Sequence, residues 1–94
     1  MTRSELIAIM ASRSEALKVA DIEHIVDTII DTMTEALADG RRIELRGFGS
    51  FSVKERSARI ARNPRTGASV KVPARRTLNF KAGKNLRDAL NDRG

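Results

Sequence analysis

The chain has 94 residues, with 18 Lys and Arg against 12 Asp and Glu for a formal net charge of +6, and no cysteine. That length makes a single domain with one small core, and the missing thiols exclude disulfide staples and thiolate metal sites. A chain so small leaves much apolar surface uncovered, so association with another chain is expected, and the positive balance points to an anionic partner.

Thr2 and Glu5 have capping-box spacing, and Leu6, Ile7 and Met10 then fall on one side of a short helix ending near Ser12 to Ser14. From about Val19 the apolar positions Ile22, Ile25, Val26, Ile29, Ile30, Met33 and Leu37 recur at three and four, a helical stripe that Gly40 brings to an end. The start of this helix is poorly marked: Leu17 and Lys18 are weak N-caps and Asp21 comes late. Glu23, Asp27, Asp31, Glu35 and Asp39 lie four apart and form an acidic row, read as a solvated face that turns away from a polyanion. His24 sits off the apolar stripe and reads as a surface residue.

After Gly40 the period changes to two. Ile43 and Leu45 alternate with Arg42, Glu44 and Arg46, then Phe51 and Val53 alternate with Ser52, Lys54 and Arg56, and Gly47 and Gly49 flank Phe48 at the turn between these strands. From Ala58 to Arg76 the strand-like spacing continues, but Ile60, Val70 and Val72 are its only sizeable apolar residues. Its midpoint, Arg62-Asn63-Pro64-Arg65-Thr66-Gly67, is a turn cluster in which Pro pre-sets φ and Gly is free to take a positive one. This segment is expected to be an extended hairpin arm over about residues 56–76. Leu78 and Phe80 are expected to return the chain to the core, and residues 83–91 to form a last helix with Leu86, Ala89 and Leu90 inward. The resulting fold class is α+β: two N-terminal helices (residues 1–40, the dimerising part), a three-stranded antiparallel sheet with one long arm (41–80), and a short C-terminal helix.

The charge is unevenly divided. Over residues 1–40, Arg3, Arg13 and Lys18 face eight carboxylates for a net of −5, so the remainder carries +11 and is the half that meets the partner. Between Lys54 and Arg76 stand eight cations and one acid, Glu55. An isolated two-stranded ribbon is marginally stable in water, so such an arm becomes ordered on something anionic, and a pair of arms can track a groove of duplex DNA. Pro64 reads either as a plain turn former or as an apolar wedge that enters between base pairs and unstacks them. Arg46-Gly47-Phe48-Gly49 matches the start of the ribonucleoprotein signature of RNA-binding domains, yet Ser50 and Val53 stand where its later aromatics belong. With one histidine and no Walker-type loop, catalysis is not expected, nor is a small-molecule substrate or cofactor. No apolar run approaches the roughly 18 residues needed to span a bilayer, and Met1 to Leu6 runs straight into polar helical sequence, so a cytoplasmic, nucleoid location is expected.

Over essentially its whole length the chain resembles the HU and integration host factor family of DNA-bending proteins. The resemblance is carried by Arg46-Gly47-Phe48-Gly49-Ser50-Phe51, by the tip Arg62-Asn63-Pro64-Arg65-Thr66-Gly67, and by Phe80-Lys81 and Gly83-Lys84 followed by Leu86-Arg87-Asp88. Ser4-Glu5-Leu6-Ile7 and Arg42-Ile43-Glu44-Leu45-Arg46 are most similar to the beta branch of the host factor, whereas Ala74-Arg75-Arg76 is more like the alpha branch. Ala61, Leu78 and Ala82 replace a Gly and two Pro that are common in the family.

The resemblance implies an intertwined dimer whose arms wrap the minor groove of double-stranded DNA and bend it sharply, with roles in recombination and transcription regulation. It implies Pro64 as the intercalating residue, with Arg62, Asn63 and Arg65 around it. Arg56, Arg59, Lys71, Arg75 and Arg76 are then backbone contacts along the arm, Lys81 and Lys84 hold flanking DNA, and Glu44 and Arg46 exert part of the sequence preference. The partner chain is either an alpha-like host-factor subunit or, in an HU-like reading with weak sequence preference, a second copy. A ribosome-associated RNA-binding module is the alternative from another class.

Overall fold

The computed structural model describes residues 1–93, which fall into two compact units, Met1–Ala36 and the remainder from Leu37. In the first unit, helix α1 (Arg3–Ser12) opens at Thr2, whose Oγ1 accepts the Glu5 N–H at 3.2 Å, and closes with Arg13 as its C-cap. Helix α2 (Val19–Ala38) starts one residue after Lys18. Asp21 is therefore not the cap itself. It sits at the third helical position and its carboxylate accepts the Lys18 N–H at 3.3 Å, the back-reaching half of a capping box.

Ile7, Ile22 and Val26 are the buried core of this unit, with Leu6, Met10 and Ala11 packed against them. The apolar stripe of α2 runs on past this core, and Ile25, Ile29 and Ile30 remain 39%, 51% and 47% exposed. A fully buried aliphatic side chain contributes about 1.5–3 kcal/mol, so three core residues are a small driving force for a chain of this size. The acidic row is only partly a solvated face: Arg3 donates to Asp27 through Nε and Nη2, both at 2.7 Å, and to Glu23 at 2.9 Å. The Asp27 hydrogen bond first, then that of Glu23, raises the Arg3 pKa, and the Arg3 hydrogen bond holds the Asp27 carboxyl below its usual range.

In the second unit, β1 (Ile43–Leu45), β2 (Gly49–Arg56) and β5 (Arg75–Ala82) form an antiparallel sheet in the order β1-β2-β5, and β3 (Arg59–Arg62) pairs with β4 (Ser69–Val72) as a separate ribbon. Gly40, at φ +79°, ends α2 by returning its N–H to the Leu37 carbonyl at 2.9 Å. The β1–β2 turn is closed by the Phe48 N–H on the Leu45 carbonyl at 2.9 Å, with Gly47 at φ +85°, the position where a type II turn demands glycine. Helix α3 (Lys84–Arg93) starts one residue later than expected, after Gly83, and runs two residues beyond Asn91.

Because cross-strand partners share a face, the register divides the sheet cleanly. Ile43, Leu45, Phe51, Val53, Leu78 and Phe80 occupy one side, and Glu44, Ser50, Ser52, Lys54, Arg56, Arg75, Thr77, Asn79 and Lys81 the other. Two expectations about packing need correction. Leu78 and Phe80 do lie on the apolar side, but they are 59% and 41% exposed; Leu86 of α3 is half-buried, while Ala89 and Leu90 are exposed. The physical reason is one of supply: this chain alone offers too few apolar side chains to cover a three-stranded face. No helix among the described residues is long and apolar enough to cross a membrane.

Candidate nucleic-acid interface

The arm continues the register of the sheet across a break. The last rung of β2–β5 is Arg56↔Arg75 and the first of β3–β4 is Arg59↔Val72, so the two ladders are in phase and two rungs are missing between them. Pro73 falls in this gap, and a proline has no N–H to give to a ladder. Beyond the gap Ile60 is 74% exposed and Val70 47% exposed, and of residues 58–72 only Ala61, Asn63 and Val72 are even half-covered. The ribbon thus has no core of its own. Alternation places Arg59, Ala61, Val70 and Val72 on one side and Ile60, Arg62, Ser69 and Lys71 on the other, so cations line both sides. A ribbon charged on both sides suits a groove with a phosphate wall on each.

At the tip, Asn63 donates its N–H to the Ala68 carbonyl at 2.9 Å and accepts the Gly67 N–H at 2.7 Å. The Asn63 Oδ1 accepts the Arg65 N–H at 2.8 Å and the Thr66 Oγ1 accepts the Ala68 N–H at 3.2 Å, so both side chains build the turn. Gly67 takes φ +71°, a conformation an L side chain rarely adopts. These bonds hold Pro64 exposed at the apex with Arg62 and Arg65 on either side of it. Pro64 can serve both as turn former and as protruding apolar group, because the first use leaves its ring outward.

On the polar side of the sheet, Arg56 and Arg75 face each other directly, with Lys54 and Thr77 the next pair of that side. Like charges opposed across strands are unfavourable by a few tenths of a kcal/mol, an arrangement that polyanion binding relieves. Lys54, counted among the arm cations but not named as a contact from the sequence, belongs to this row, and the alternation Ser50, Ser52, Lys54, Arg56 contains the signal. Further along, Glu44, Arg46 and Lys81 line one shallow depression of about 450 Å³, with Glu44, Ser50 and Lys81 forming a row across three strands. Arg42 holds Glu44 by an ion pair of 2.9 Å, a partnership also not read from the sequence. The Arg-Gly-Phe-Gly run forms a tight turn whose Phe48 ring packs on Phe80 at 5.8 Å, unlike the sheet-borne aromatics of the RNA-binding signature.

Lys84 begins α3, close to this depression. The Gly83 N–H goes to the Phe48 carbonyl at 2.7 Å and the Leu86 N–H to the Gly47 carbonyl at 3.2 Å, locking the helix start onto the β1–β2 turn. A Cβ on Gly83 would stand 2.8 Å from the Gly47 carbonyl oxygen, which is why this close approach needs glycine. Of the expected contacts within the three-stranded sheet, Arg76 alone lies on the apolar side, opposite Glu55, with its guanidinium on the carbonyls of Ala38 at 2.8 Å and Leu37 at 3.4 Å.

A small α+β protein with an exposed ribbon, cationic on both sides, is one built to bind an extended polyanion. The comparisons agree. The model of the family described as bacterial DNA-binding protein matches residues 1–91. The chain is 52% identical over 92 residues to integration host factor subunit beta of Marinobacter nauticus, covering 98% of this chain and 94% of that one. It is 54% identical over 91 residues to the subunit beta of Methylococcus capsulatus, covering 97% and 96%. Among solved structures it is similar to HU in the Anabaena HU–DNA cocrystal, at TM-score 0.79 and 33% identity over 96% of this chain and 97% of that one. An HU variant from Thermotoga maritima matches at TM-score 0.69 and 34% identity, covering 96% and 99%. The chain therefore belongs to the bacterial DNA-binding protein family, that of HU and integration host factor, and is an architectural DNA-binding protein.

Proposed function

We propose that this chain is a beta-like host-factor subunit that pairs with an alpha-like chain and bends double-stranded DNA through the minor groove, without catalysing a reaction. The observation that carries the proposal is the in-phase but interrupted hairpin, largely exposed, cationic on both sides and tipped by Pro64. Such a ribbon gains phosphate contacts and counterion release along the groove, and insertion of the Pro64 ring unstacks a base step at a cost of a few kcal/mol that the contacts on bent DNA offset. Arg62, Asn63 and Arg65 flank the wedge; Arg56, Arg59, Lys71 and Arg75 follow the backbone; Lys81 and Lys84 hold flanking DNA. Glu44, oriented by Arg42, and Arg46 bias the choice of sequence. The uncovered apolar surface of Ile29, Ile30, Leu78 and Phe80 supports dimerisation, since an intertwined partner supplies the missing cover. A nucleoid location, in the cytoplasm, follows from the DNA.

The test is to measure fluorescence transfer between the ends of a labelled duplex, with this chain alone and with an alpha-like partner, on random and A-tract sequences. Strong bending and site preference only with the partner supports the heterodimer. Equal bending by the chain alone on any sequence replaces it with an HU-like homodimer, and preference for single-stranded RNA over duplex DNA removes the reading.

A further inference from the structure

We propose that Arg76 is a positioning residue for the arm rather than a phosphate contact, stapling the last full rungs of the sheet to the end of α2. The inference rests on the reading that the arm is the DNA-bending element. Strand parity puts Arg76 on the side opposite Arg56 and Arg75, as the cross-strand partner of Glu55. All three of its guanidinium nitrogens are engaged there: Nη1 with the Ala38 carbonyl at 2.8 Å, Nη2 with the Leu37 carbonyl at 3.4 Å, and Nε with the Glu55 carboxylate at 3.6 Å.

The two carbonyls belong to the last turn of α2, where a helix has no intrahelical donors left and where a cation is favoured by the dipole. The planar fork of arginine presents separate nitrogens to two carbonyls and a carboxylate in a fixed geometry, whereas a lysine ammonium is a compact point charge on a flexible stem without that fork. The Glu55 pair is exposed and contributes little by itself, so the carbonyl bonds fix the geometry.

The place of this staple gives it its role. Glu55↔Arg76 and Arg56↔Arg75 are the last rungs before the ladder is interrupted at Pro73, and beyond that interruption the ribbon has no packing of its own. The direction in which the arm leaves the sheet is then set by how firmly those two rungs are held. Arg56↔Arg75 is a like-charge pair and cannot hold them; Arg76 does, by tying β5 to the connector from Leu37 to Gly40. A Cβ on Gly40 would lie 3.6 Å from Arg76 Nη2, so the connector runs beside the guanidinium.

The absence of cysteine permits a clean experiment. Nitroxide labels at Ser52→Cys in β2 and Ser69→Cys in β4, with labelled protein diluted into unlabelled, give the sheet-to-arm distance distribution by pulsed EPR on free and DNA-bound protein. Salt titrations of duplex binding run in parallel. Arg76→Ala and Arg76→Lys should both broaden the distance distribution of the free protein, while the slope of log K against log salt stays at the wild-type value. Arg75→Ala should do the reverse, lowering the slope by about 0.9 per substituted copy and leaving the distribution unchanged. Glu55→Gln, which removes one partner only, should broaden the distribution less, and it carries the test if the Arg76 variants fail to fold. An Arg76→Lys protein with wild-type distances, or a slope reduction in Arg76→Ala equal to that of Arg75→Ala, overturns the proposal. Failure of the wild-type protein to bend DNA would instead defeat the architectural reading, and the free-protein distances would still decide the role of Arg76.

Discussion

Removing the Arg75 guanidinium should change stability and affinity in opposite directions. Arg75 faces Arg56 across β2–β5 with no carboxylate on that side until Glu44 at the far end of the sheet, so free protein carries an unrelieved like-charge rung. Arg75→Ala should therefore leave folding unharmed or stabilise it by about 0.2–1 kcal/mol. In the proposed complex the same group meets a phosphate, and each such contact adds about 0.9 to the slope of log K against log salt. Between about 50 and about 200 mM salt, a slope lowered by about 0.9 means that the variant loses about 3.5-fold less affinity than the wild type; two substituted copies give about 12-fold. The assay is anisotropy titration of a labelled duplex across that salt range, with thermal melts of the free protein. A change of about 0.9 indicates one copy of this chain per complex and about 1.8 indicates two, so the measurement also counts subunits. A slope identical to the wild type, with any loss of affinity constant across salt, refutes the phosphate contact.

Pro64→Ala should reduce the bend angle more than the affinity, because the arm cations remain while the wedge is lost; end-to-end fluorescence transfer at saturating protein reads this, and an unchanged angle rejects the wedge. Gly49→Ala should destabilise the protein by about 1–3 kcal/mol, because its Cβ would lie 2.6 Å from the Lys81 carbonyl oxygen and 2.7 Å from the Phe80 ring, both held in the sheet. Thermal melts are the check, and a wild-type Tm would show that the strands separate freely there. Arg3→Met should lower stability at neutral pH, with the difference from wild type shrinking in acid. The Arg3 hydrogen bond depresses the Asp27 pKa, so the contribution is present above the ordinary carboxylate range and is lost as pH falls through the folded value. Arg3 itself stays charged throughout, and a deficit that persists unchanged at low pH would place the effect elsewhere.

The alternation of Ile43, Leu45, Phe51 and Val53 and the three-four spacing from Ile22 to Leu37 announced the elements directly, because periodicity is a local property of the chain. The tip was equally legible, since Asn63, Pro64, Thr66 and Gly67 each have a turn role that depends on near neighbours. What sequence reading missed depends on distant residues. Arg3 reaches Glu23 and Asp27 across a helical pair, and Arg76 reaches Leu37 and Ala38 across the connector. Counting charges cannot tell which cations are engaged inside the protein. Arg76 looked like its neighbour Arg75, and strand parity alone separates them. Leu78 and Phe80 were placed on the correct side, but a pattern of apolar residues specifies a face to be covered and does not say which chain covers it.

The most direct measurement replaces residues 58–73 by Asn-Gly, a two-residue turn that joins Ser57 to Ala74 at the register the strands already have. Bending of a duplex is then read by end-to-end fluorescence transfer, with melts to establish that the shortened protein is folded. The expected result is a folded protein that leaves the duplex straight and binds it weakly; a folded, armless protein that still bends DNA as the full chain does would contradict the role given to the ribbon.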